Sequence, residues 1–165
     1  MIAAILMTMI LEMSPGPWQT VNDGVMGGIS SSRMVEADGV LTFEGELSLE
    51  NNGGFASVRR LVETDLSQVT GARLEVRGDQ RTYQFRLRQN DRFDGVAWRA
   101  EFTATEEWQT VDLSFVEFIP VFRGRRVPEA GQVVPASIRQ VGFMLADKTP
   151  GPFKLEIRLI EFDTM

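Results

Sequence analysis

The chain of 165 residues contains neither cysteine nor histidine. The absence of cysteine excludes disulfide bonds, thiolate metal sites and cysteine nucleophiles, and it leaves the redox state of the compartment undetermined. The absence of histidine excludes Ser-His-Asp and Cys-His catalysis and removes the side chain that titrates near neutral pH. Any catalysis would therefore depend on carboxylates, lysine or tyrosine.

Lysine and positive charge are also scarce. The chain has 17 Lys and Arg against 23 Asp and Glu, a formal net charge of −6, and only Lys148 and Lys154 are lysines. Because non-specific nucleic-acid binding requires cations that neutralise phosphates, we predict that nucleic acid is not a partner. The preference for arginine favours bidentate recognition of carboxylates, phosphates or sugar hydroxyls, unless it reflects only the base composition of the genome.

A long hydrophobic run is missing too. Residues 1–13 are mostly apolar but too few to span a bilayer, so we predict no membrane span. Neither the features of a signal peptide nor an Arg- and Ser-rich presequence is present. We interpret residues 1–17 as an apolar segment, either a strand against the domain or the result of a start codon assigned too early, with a degenerate export signal as the remaining alternative. We expect a cytoplasmic protein, either free or peripheral to a membrane.

Two motifs concentrate glycine and Asx residues: Asn-Asp-Gly-Val-Met-Gly-Gly at residues 22–28 and Glu-Asn-Asn-Gly-Gly-Phe-Ala-Ser-Val-Arg at residues 50–59. Glycine adopts positive φ without steric cost and Asx side chains bond nearby backbone, so both motifs predict tight turns. Their polar side chains either cap these turns or provide binding groups on rigid loops. The candidates are Asn22, Asp23, Asn51 and Asn52.

We expect the two motifs to converge in space. The strand between them would separate the loops if it were straight, but Gly45 stands in mid-pattern, where glycine often marks a bend. The next strand can also run back towards the first motif. We therefore predict that Arg59 reaches Asn22 or Asp23 in a charge-assisted hydrogen bond.

Short alternating stretches follow one another through residues 18–165, which we interpret as a single domain. Apolar and polar residues alternate with a period of two, and no ten-residue stretch keeps a helical period, so helices should be short connectors. An antiparallel all-β fold follows, as a sandwich or a barrel. The apolar phase predicts a buried set: Leu41, Phe43, Leu47, Phe85, Leu87, Trp98, Phe143, Leu155 and Ile157. A phase shift at Leu159-Ile160 predicts a bulge.

The two glycine-rich motifs resemble the signatures of the complex I intermediate-associated protein 30 (CIA30) family. Further matches follow in the same order at residues 77–79, 108–111, 118–125, 138–145 and 151–157. The resemblance implies a galactose-binding-like β-sandwich, a jelly roll, in place of a barrel. For mitochondrial members it implies a role as an assembly factor for respiratory complex I, and it implies no known reaction.

Outward-facing charged residues lie on strands that we expect to be neighbours. In one sheet they would form an arginine-rich plane able to take a glycan, an acidic peptide or a protein partner, unless they are only a solvated face with cross-strand ion pairs. The residues are Arg73, Glu75, Arg77, Gln84, Arg86, Arg88, Arg99 and Glu101. We select Arg86, Arg88 and Arg99 as binding candidates.

Residues 118–128 join bulky apolar residues to a basic turn. Exposed, this segment would be a docking loop with Arg123 and Arg125 as anchors. Buried, Phe118 and Phe122 would hold a crossover against the end of the sandwich, which is the interpretation we favour.

The carboxylates do not form a recognisable catalytic or metal-binding pattern. Their spacing supports neither a glycosidase pair nor a calcium site, so we predict no catalytic residue, no metal and no cofactor. We predict a non-catalytic binding protein, an assembly or scaffolding factor whose partners are subunits of a membrane-associated respiratory (complex I-like) or photosynthetic complex. The alternative is a carbohydrate-binding module with a glycan as partner, although Tyr83 and Trp98 fall in apolar phase. A carboxylate-dependent hydrolase is the third alternative.

Overall fold

The computed structural model describes residues 8–164, apart from the side chains of Val25 and Met26. Within this range the chain forms 13 strands and five short 3-10 helices. The strands are β1 (Met9–Ile10), β2 (Gln19–Thr20), β3 (Ser31–Ala37), β4 (Val40–Leu47), β5 (Ala56–Leu61), β6 (Gly71–Gly78), β7 (Thr82–Arg88), β8 (Ala97–Thr103), β9 (Gln109–Ser114), β10 (Ile119–Phe122), β11 (Arg125–Arg126), β12 (Gln140–Leu145) and β13 (Gly151–Asp163). The 3-10 helices are Asp23–Met26, Glu50–Asn52, Phe115–Glu117, Pro128–Ala130 and Pro135–Ser137.

The strands form two antiparallel sheets. The six-stranded sheet has the order β3-β4-β13-β6-β9, with β1 beside β13, and the seven-stranded sheet has the order β11-β10-β8-β7-β12-β5-β2. The apolar faces of the two sheets pack against each other. The predicted all-β antiparallel sandwich is confirmed.

The core between the sheets contains the side chains that alternation predicted. All nine predicted residues are buried, none more than 5% exposed. Aromatic rings fill the centre, with ring centroids 5.3 Å apart for Phe85 and Phe143 and 5.0 Å apart for Phe43 and Phe153. Phe118 is buried and packs against Phe85, as the burial interpretation predicted. Phe122 is only half-buried, and residues 119–122 form strand β10 of the seven-stranded sheet in place of the expected crossover.

Strand β13 changes its pairing register midway. The register with β6 shifts between Ile157 and Leu159, and beyond the shift Ile160 and Phe162 are buried. The predicted bulge is confirmed. In this part of β13, Phe162 also pairs with Met9 of β1.

The N-terminal segment is described only from residue 8 onwards; residues 1–7 lie outside the described residues. Its described part contributes β1 and places Leu11 in the core. In the described part of the chain, no helix has the length and apolarity needed to cross a membrane.

Gly45 does not bend the chain, so that prediction is wrong. Strand β4 runs through it without a register shift, opposite Ser32 on one side and Phe153 on the other. A Cβ built at this position would lie far inside van der Waals contact of the Ser31 carbonyl oxygen. Glycine is required here because the backbone of β3 approaches closely.

We predict that Gly45→Ala destabilises the fold by about 2 kcal/mol or more, because the new methyl group must displace backbone atoms. Thermal or urea unfolding measures the change. Gly24→Ala is the matched control, since a Cβ there meets nothing within 4 Å. Equal stability of the two variants would contradict the close-approach explanation.

Candidate functional site

Four arginines on three strands share the outer face of the seven-stranded sheet. They are Arg59 on β5, Arg86 and Arg88 on β7, and Arg99 on β8, and we call them the arginine face. Gly142 on β12 lies opposite Arg59 on one side and Arg86 on the other, and Arg86 lies opposite Arg99. Because Gly142 has no side chain, β12 places nothing between Arg59 and Arg86. A depression of about 20 Å³ lies there.

The predicted single plane of charged residues is divided between two sheets. Arg73, Glu75 and Arg77 belong to β6, in the six-stranded sheet, whereas β7 and β8 belong to the seven-stranded sheet. The prediction that all eight residues share a plane is therefore wrong. Strands β6 and β7 are consecutive in sequence but lie in opposite sheets, so their outward residues point away from each other.

The arginines of the six-stranded sheet are paired with carboxylates. Arg33 bonds Glu44 at 2.7 Å, Arg73 bonds Asp112 at 2.8 Å and Arg158 bonds Glu75 at 2.7 Å. Arg77 pairs with Glu156 in the same way. This outer face is a solvated surface with cross-strand ion pairs, as the alternative interpretation proposed.

The arginine face lacks this compensation. Arg99 pairs with Glu101, but among the described residues no carboxylate forms an ion pair with Arg59, Arg86 or Arg88. Each of these three donates only through Nη1. Arg59 bonds the Phe93 carbonyl at 2.7 Å and Arg88 bonds the Gly95 carbonyl at 3.0 Å. The Nε and Nη2 atoms of all three have no protein acceptor within the described range.

Arg86 is the most enclosed of the four. Its Nη1 atom donates to the Gln84 side-chain oxygen at 2.7 Å and to the Met144 sulfur at 3.3 Å. Burial, followed by the charges of the other three arginines of the face, lowers the pKa of Arg86 to about 9. Because guanidinium groups stay protonated at neutral pH, the folded protein holds an enclosed charge without a carboxylate partner.

The Asp94 carboxylate partly offsets the positive charges of Arg88 and Arg59. Burial and Arg59 lower the pKa of Arg88 to about 10, while the Asp94 carboxylate acts in the opposite direction. Burial likewise lowers the pKa of Arg59, again opposed by Asp94. Asp94 also forms an ion pair with Arg123 at 2.7 Å. One carboxylate therefore interacts electrostatically with three arginines.

The loop at residues 89–96 borders the arginine face and carries an exposed aromatic ring. Phe93 is 61% exposed, and the Arg59 guanidinium lies 5.2 Å from its ring centroid. Gln140 holds the loop by donating to the carbonyls of Asn90 at 2.9 Å and Arg92 at 3.0 Å. Phe93 is not among the predicted site residues, because it lies in a turn, outside any alternating stretch.

The positions between the arginines are also absent from the predicted site residues, although the sequence contains a signal for them. Gln140, Gly142 and Met144 occupy the outward phase of a strand whose inward phase is Val141, Phe143 and Leu145. A glycine in that outward phase is typical of a close approach by neighbouring chain. Here a Cβ would lie 2.5 Å from the Val58 carbonyl oxygen.

A cleft of about 790 Å³ adjoins the arginine face at its Arg59 end. Trp18, Arg60, Leu61 and Phe93 contribute to its lining. Among the described side chains, only Trp18 Nε1 and Arg60 Nη1 are buried polar atoms without a hydrogen-bond partner. Both belong to residues of this cleft.

The remaining basic candidates lie at the far edge of the same sheet. Arg123 occupies the turn between β10 and β11 with a φ of 50°. Its guanidinium lies 5.1 Å from the ring of Phe122. Arg125 is exposed on the edge strand β11. Both arginines are exposed, and Arg123 is linked to the arginine face through its ion pair with Asp94.

Asp23 is a buried structural residue. Its carboxylate accepts from the Ser30 backbone N–H at 2.9 Å, the Ser30 hydroxyl at 2.6 Å and the Gly54 backbone N–H at 2.8 Å. Burial alone would raise the pKa of Asp23, but the hydrogen bonds from Ser30 and Gly54 outweigh it and hold the pKa below 3.8. Asp23 is fully buried, and a Cβ at Gly53 would lie 2.5 Å from its carboxylate, so glycine is required at this close approach.

The side chain of Asn22, next to Asp23, connects the first motif to β3 and to the second motif. Its side-chain oxygen accepts from the Ser32 hydroxyl at 2.7 Å and from the Ser57 backbone N–H at 3.1 Å. The predicted convergence of the two motifs is confirmed. The predicted bond from Arg59 is wrong, because Arg59 lies on the outer face of β5 and bonds Phe93 instead.

Asn51 and Asn52 serve the second turn through their backbone. Both are exposed and adopt positive φ, 56° and 61°. Asn tolerates this conformation better than other residues that carry a side chain. Within residues 8–164, no group of three or more carboxylates is arranged to hold a metal ion.

Comparison with known proteins identifies the family. A family model described as Complex I intermediate-associated protein 30 (CIA30) matches residues 12–157. The chain belongs to the CIA30 family. A relative from Mus musculus, "Complex I intermediate-associated protein 30, mitochondrial", is 35% identical over 106 residues, which cover 61% of this chain and 32% of that protein. The chain therefore spans about a third of the length of this curated relative.

Solved structures similar to this CIA30-family chain include carbohydrate-binding modules. A family 11 module of a cellulosomal cellulase of Clostridium thermocellum matches with a TM-score of 0.74 and 16% identity over 98% of this chain and 97% of that one. The family 11 module in complex with a β-1,3-1,4-mixed-linked tetrasaccharide matches with a TM-score of 0.73 and 16% identity over 98% of each chain. These matches confirm the galactose-binding-like β-sandwich, and at this identity they concern the fold alone.

We predict that Asp23→Asn lowers stability by about 2–3 kcal/mol, because an amide NH₂ would face backbone donors that now bond a carboxylate. The native pKa of Asp23 is depressed, so its contribution is present above pH 3.8 and is lost as the pH falls through the native pKa. Urea unfolding at pH 7 and pH 3 measures both effects. Asp38→Asn, in an exposed turn, is the control, and an equal effect of the two substitutions would contradict the prediction.

We predict that Arg86→Met raises the thermal midpoint by about 2–4 °C, equivalent to about 1 kcal/mol, because it removes an enclosed charge and three like-charge contacts. Methionine keeps an unbranched side chain of similar length. Arg81→Met is the contrasting control, since Arg81 bonds Asp147 through both Nε and Nη2 and its loss should lower the midpoint. A lower midpoint for Arg86→Met would assign Arg86 a structural role.

Proposed function

We infer that this CIA30-family chain is a non-catalytic binding protein that acts as an assembly or scaffolding factor for a membrane-associated complex, respiratory and complex I-like or photosynthetic. Family membership supports the assembly role, and the Mus musculus relative carries that association in its name. The proposed location is cytoplasmic or peripheral to the membrane that holds the complex. The proposed partners are protein subunits of that complex.

The observation that carries the proposal is the arginine face, in which three of the four arginines form no ion pair among the described residues. Arg59, Arg86 and Arg88 keep their charges together without a carboxylate partner in the described range, although the opposite sheet pairs its arginines with carboxylates. Such an arrangement costs stability in the free protein, and proteins commonly accept that cost at sites that bind a partner. Arginine and aromatic residues are also the side chains that dominate the energetics of protein interfaces.

The exposed surface beside the arginines supports a protein partner. Phe93 and Leu61 are large apolar side chains that are more than half exposed, and both contribute to the cleft at the Arg59 end of the face. Arginine and aromatic residues are enriched in protein interfaces, and this surface contains both. Arg123 and Arg125 would lie at the rim of this interface.

A carbohydrate-binding module is the second candidate, and the fold likeness to modules of that kind favours it. Sugar sites commonly present aromatic platforms. Here Tyr83 and Trp98 are buried in the core, and Trp108 lies on the opposite sheet between the guanidinium groups of Arg77 and Arg158, at 4.7 and 4.3 Å. Phe93 is the exposed ring that a glycan could use.

The test is affinity capture from detergent-solubilised membranes of the source organism, with subunits identified by mass spectrometry. The wild type should capture subunits of a respiratory or photosynthetic complex. The triple variant Arg86→Gln/Arg88→Gln/Arg99→Gln should lose them without a lower thermal midpoint, because the removed charges repel one another.

The matched control is Arg33→Gln/Arg73→Gln/Arg158→Gln, which removes three charges from the opposite sheet and should keep the capture. Equal capture by both triple variants would remove the arginine face from the proposal, and no capture of such subunits by the wild type would contradict the assembly role. Binding of a β-1,3-1,4-glucan by the wild type, lost in Phe93→Ala, would select the second candidate.

A further inference from the structure

We propose that the open Nε–Nη2 edge of Arg86 is a carboxylate-binding site that receives a glutamate or aspartate side chain from an acidic segment of a protein partner. The proposal rests on the proposed function in one respect, that the carboxylate belongs to a protein. It adds the chemistry of the ligand and the atoms that bind it.

The first argument is the geometry of the free donors. Arg86 uses Nη1 for Gln84 and Met144, and its Nε and Nη2 atoms have no acceptor among the described residues. These two N–H groups lie on one edge of the guanidinium and form the fork that matches a carboxylate. Arg86 is partly exposed to solvent at the surface of the sheet.

The second argument is an internal example of the same chemistry. Arg81 bonds Asp147 through Nε at 2.8 Å and through Nη2 at 2.7 Å, while its Nη1 atom donates to the Pro152 carbonyl at 2.9 Å. In both Arg81 and Arg86, the Nη1 atom donates to a neutral acceptor. The difference is that the fork of Arg81 already holds a carboxylate, whereas the fork of Arg86 holds none.

The third argument is the space above Gly142. The depression between Arg59 and Arg86 has a volume of about 20 Å³, which accommodates about one water-sized group. A single carboxylate oxygen fits this volume better than a tetrahedral phosphate. Gly142 contributes to the lining of this space together with Arg59, Arg86 and Met144.

The fourth argument is the spacing of the arginines. Adjacent strands lie about 4.8 Å apart, so Arg59 and Arg86, separated by β12, are roughly 10 Å apart across the sheet. Arg59 and Arg88 present open edges of the same kind as Arg86. Separate singly charged groups at such intervals suit successive acidic side chains of an extended segment better than one multiply charged anion. Asp94 limits the positive charge at the Arg59 end, which makes Arg86 the primary site.

The test is fluorescence anisotropy with a labelled six-residue glutamate peptide and the full-length chain, at low ionic strength because these contacts are screened by salt. The wild type should bind the glutamate peptide and not a glutamine peptide of equal length. Arg86→Met should weaken binding at least about tenfold, whereas Arg158→Met, which removes one charge from the opposite sheet, should stay within about twofold. Arg86→Lys keeps the charge without the fork and should not restore wild-type affinity.

Several results would overturn the proposal. These are no binding by the wild type, equal binding by Arg86→Met, full affinity in Arg86→Lys, or protection of the thermal midpoint by inorganic phosphate without peptide binding. The two proposals fail separately. Capture of complex subunits without glutamate-peptide binding would retain the assembly function and reject the carboxylate site, and peptide binding without capture would do the reverse.

Discussion

The buried carboxylate of Asp23 is the interaction on which the arrangement of the two sheets depends. The chain passes from the seven-stranded to the six-stranded sheet between β2 and β3, and it returns between β4 and β5. Asp23 lies in the first crossover and bonds Ser30 at its end and Gly54 in the second crossover. Since β5 follows directly, this one side chain also helps to fix the position of Arg59.

The arginines on the two outer faces of the sandwich differ in their pairing with carboxylates. On the six-stranded sheet, each arginine with a nearby acidic residue forms a cross-strand ion pair, which contributes little to stability but leaves no uncompensated charge. On the seven-stranded sheet, burial and the charges of three other arginines lower the pKa of Arg86. This cluster costs stability in the free protein, which is the basis of the proposed binding role.

Much of the fold could be predicted from local sequence because alternation reports which side of a strand is buried. Phe85 and Leu155 were placed in the core for this reason, and the phase shift near Leu159 revealed the bulge. Alternation does not report which sheet a strand joins. Arg77 and Arg86 stand on consecutive strands, yet long-range pairing with β13 and β12 places them on opposite sides of the molecule.

The candidate site was predictable only in part for the same reason. Arg86, Arg88 and Arg99 share a face because β7 and β8 form a hairpin, which is a local feature. Arg59 joins them because β12, which is distant in sequence from both β5 and β7, pairs with these two strands at Gly142. Local sequence does not indicate this pairing, so the prediction placed Arg59 beside Asp23. Phe93 belongs to a turn, where no periodicity constrains the exposure of a side chain.

The most direct measurement of the central claim is the side-chain Nε–H signal of Arg86 in ¹H–¹⁵N NMR spectra during titration with the glutamate peptide. The account predicts a progressive shift of the Arg86 signal that saturates, as its fork gains a charged acceptor, while the signal of Arg81 stays in place because Asp147 already occupies its fork. An Arg86 signal that does not move at saturating peptide would contradict the account, and so would equal shifts of both signals.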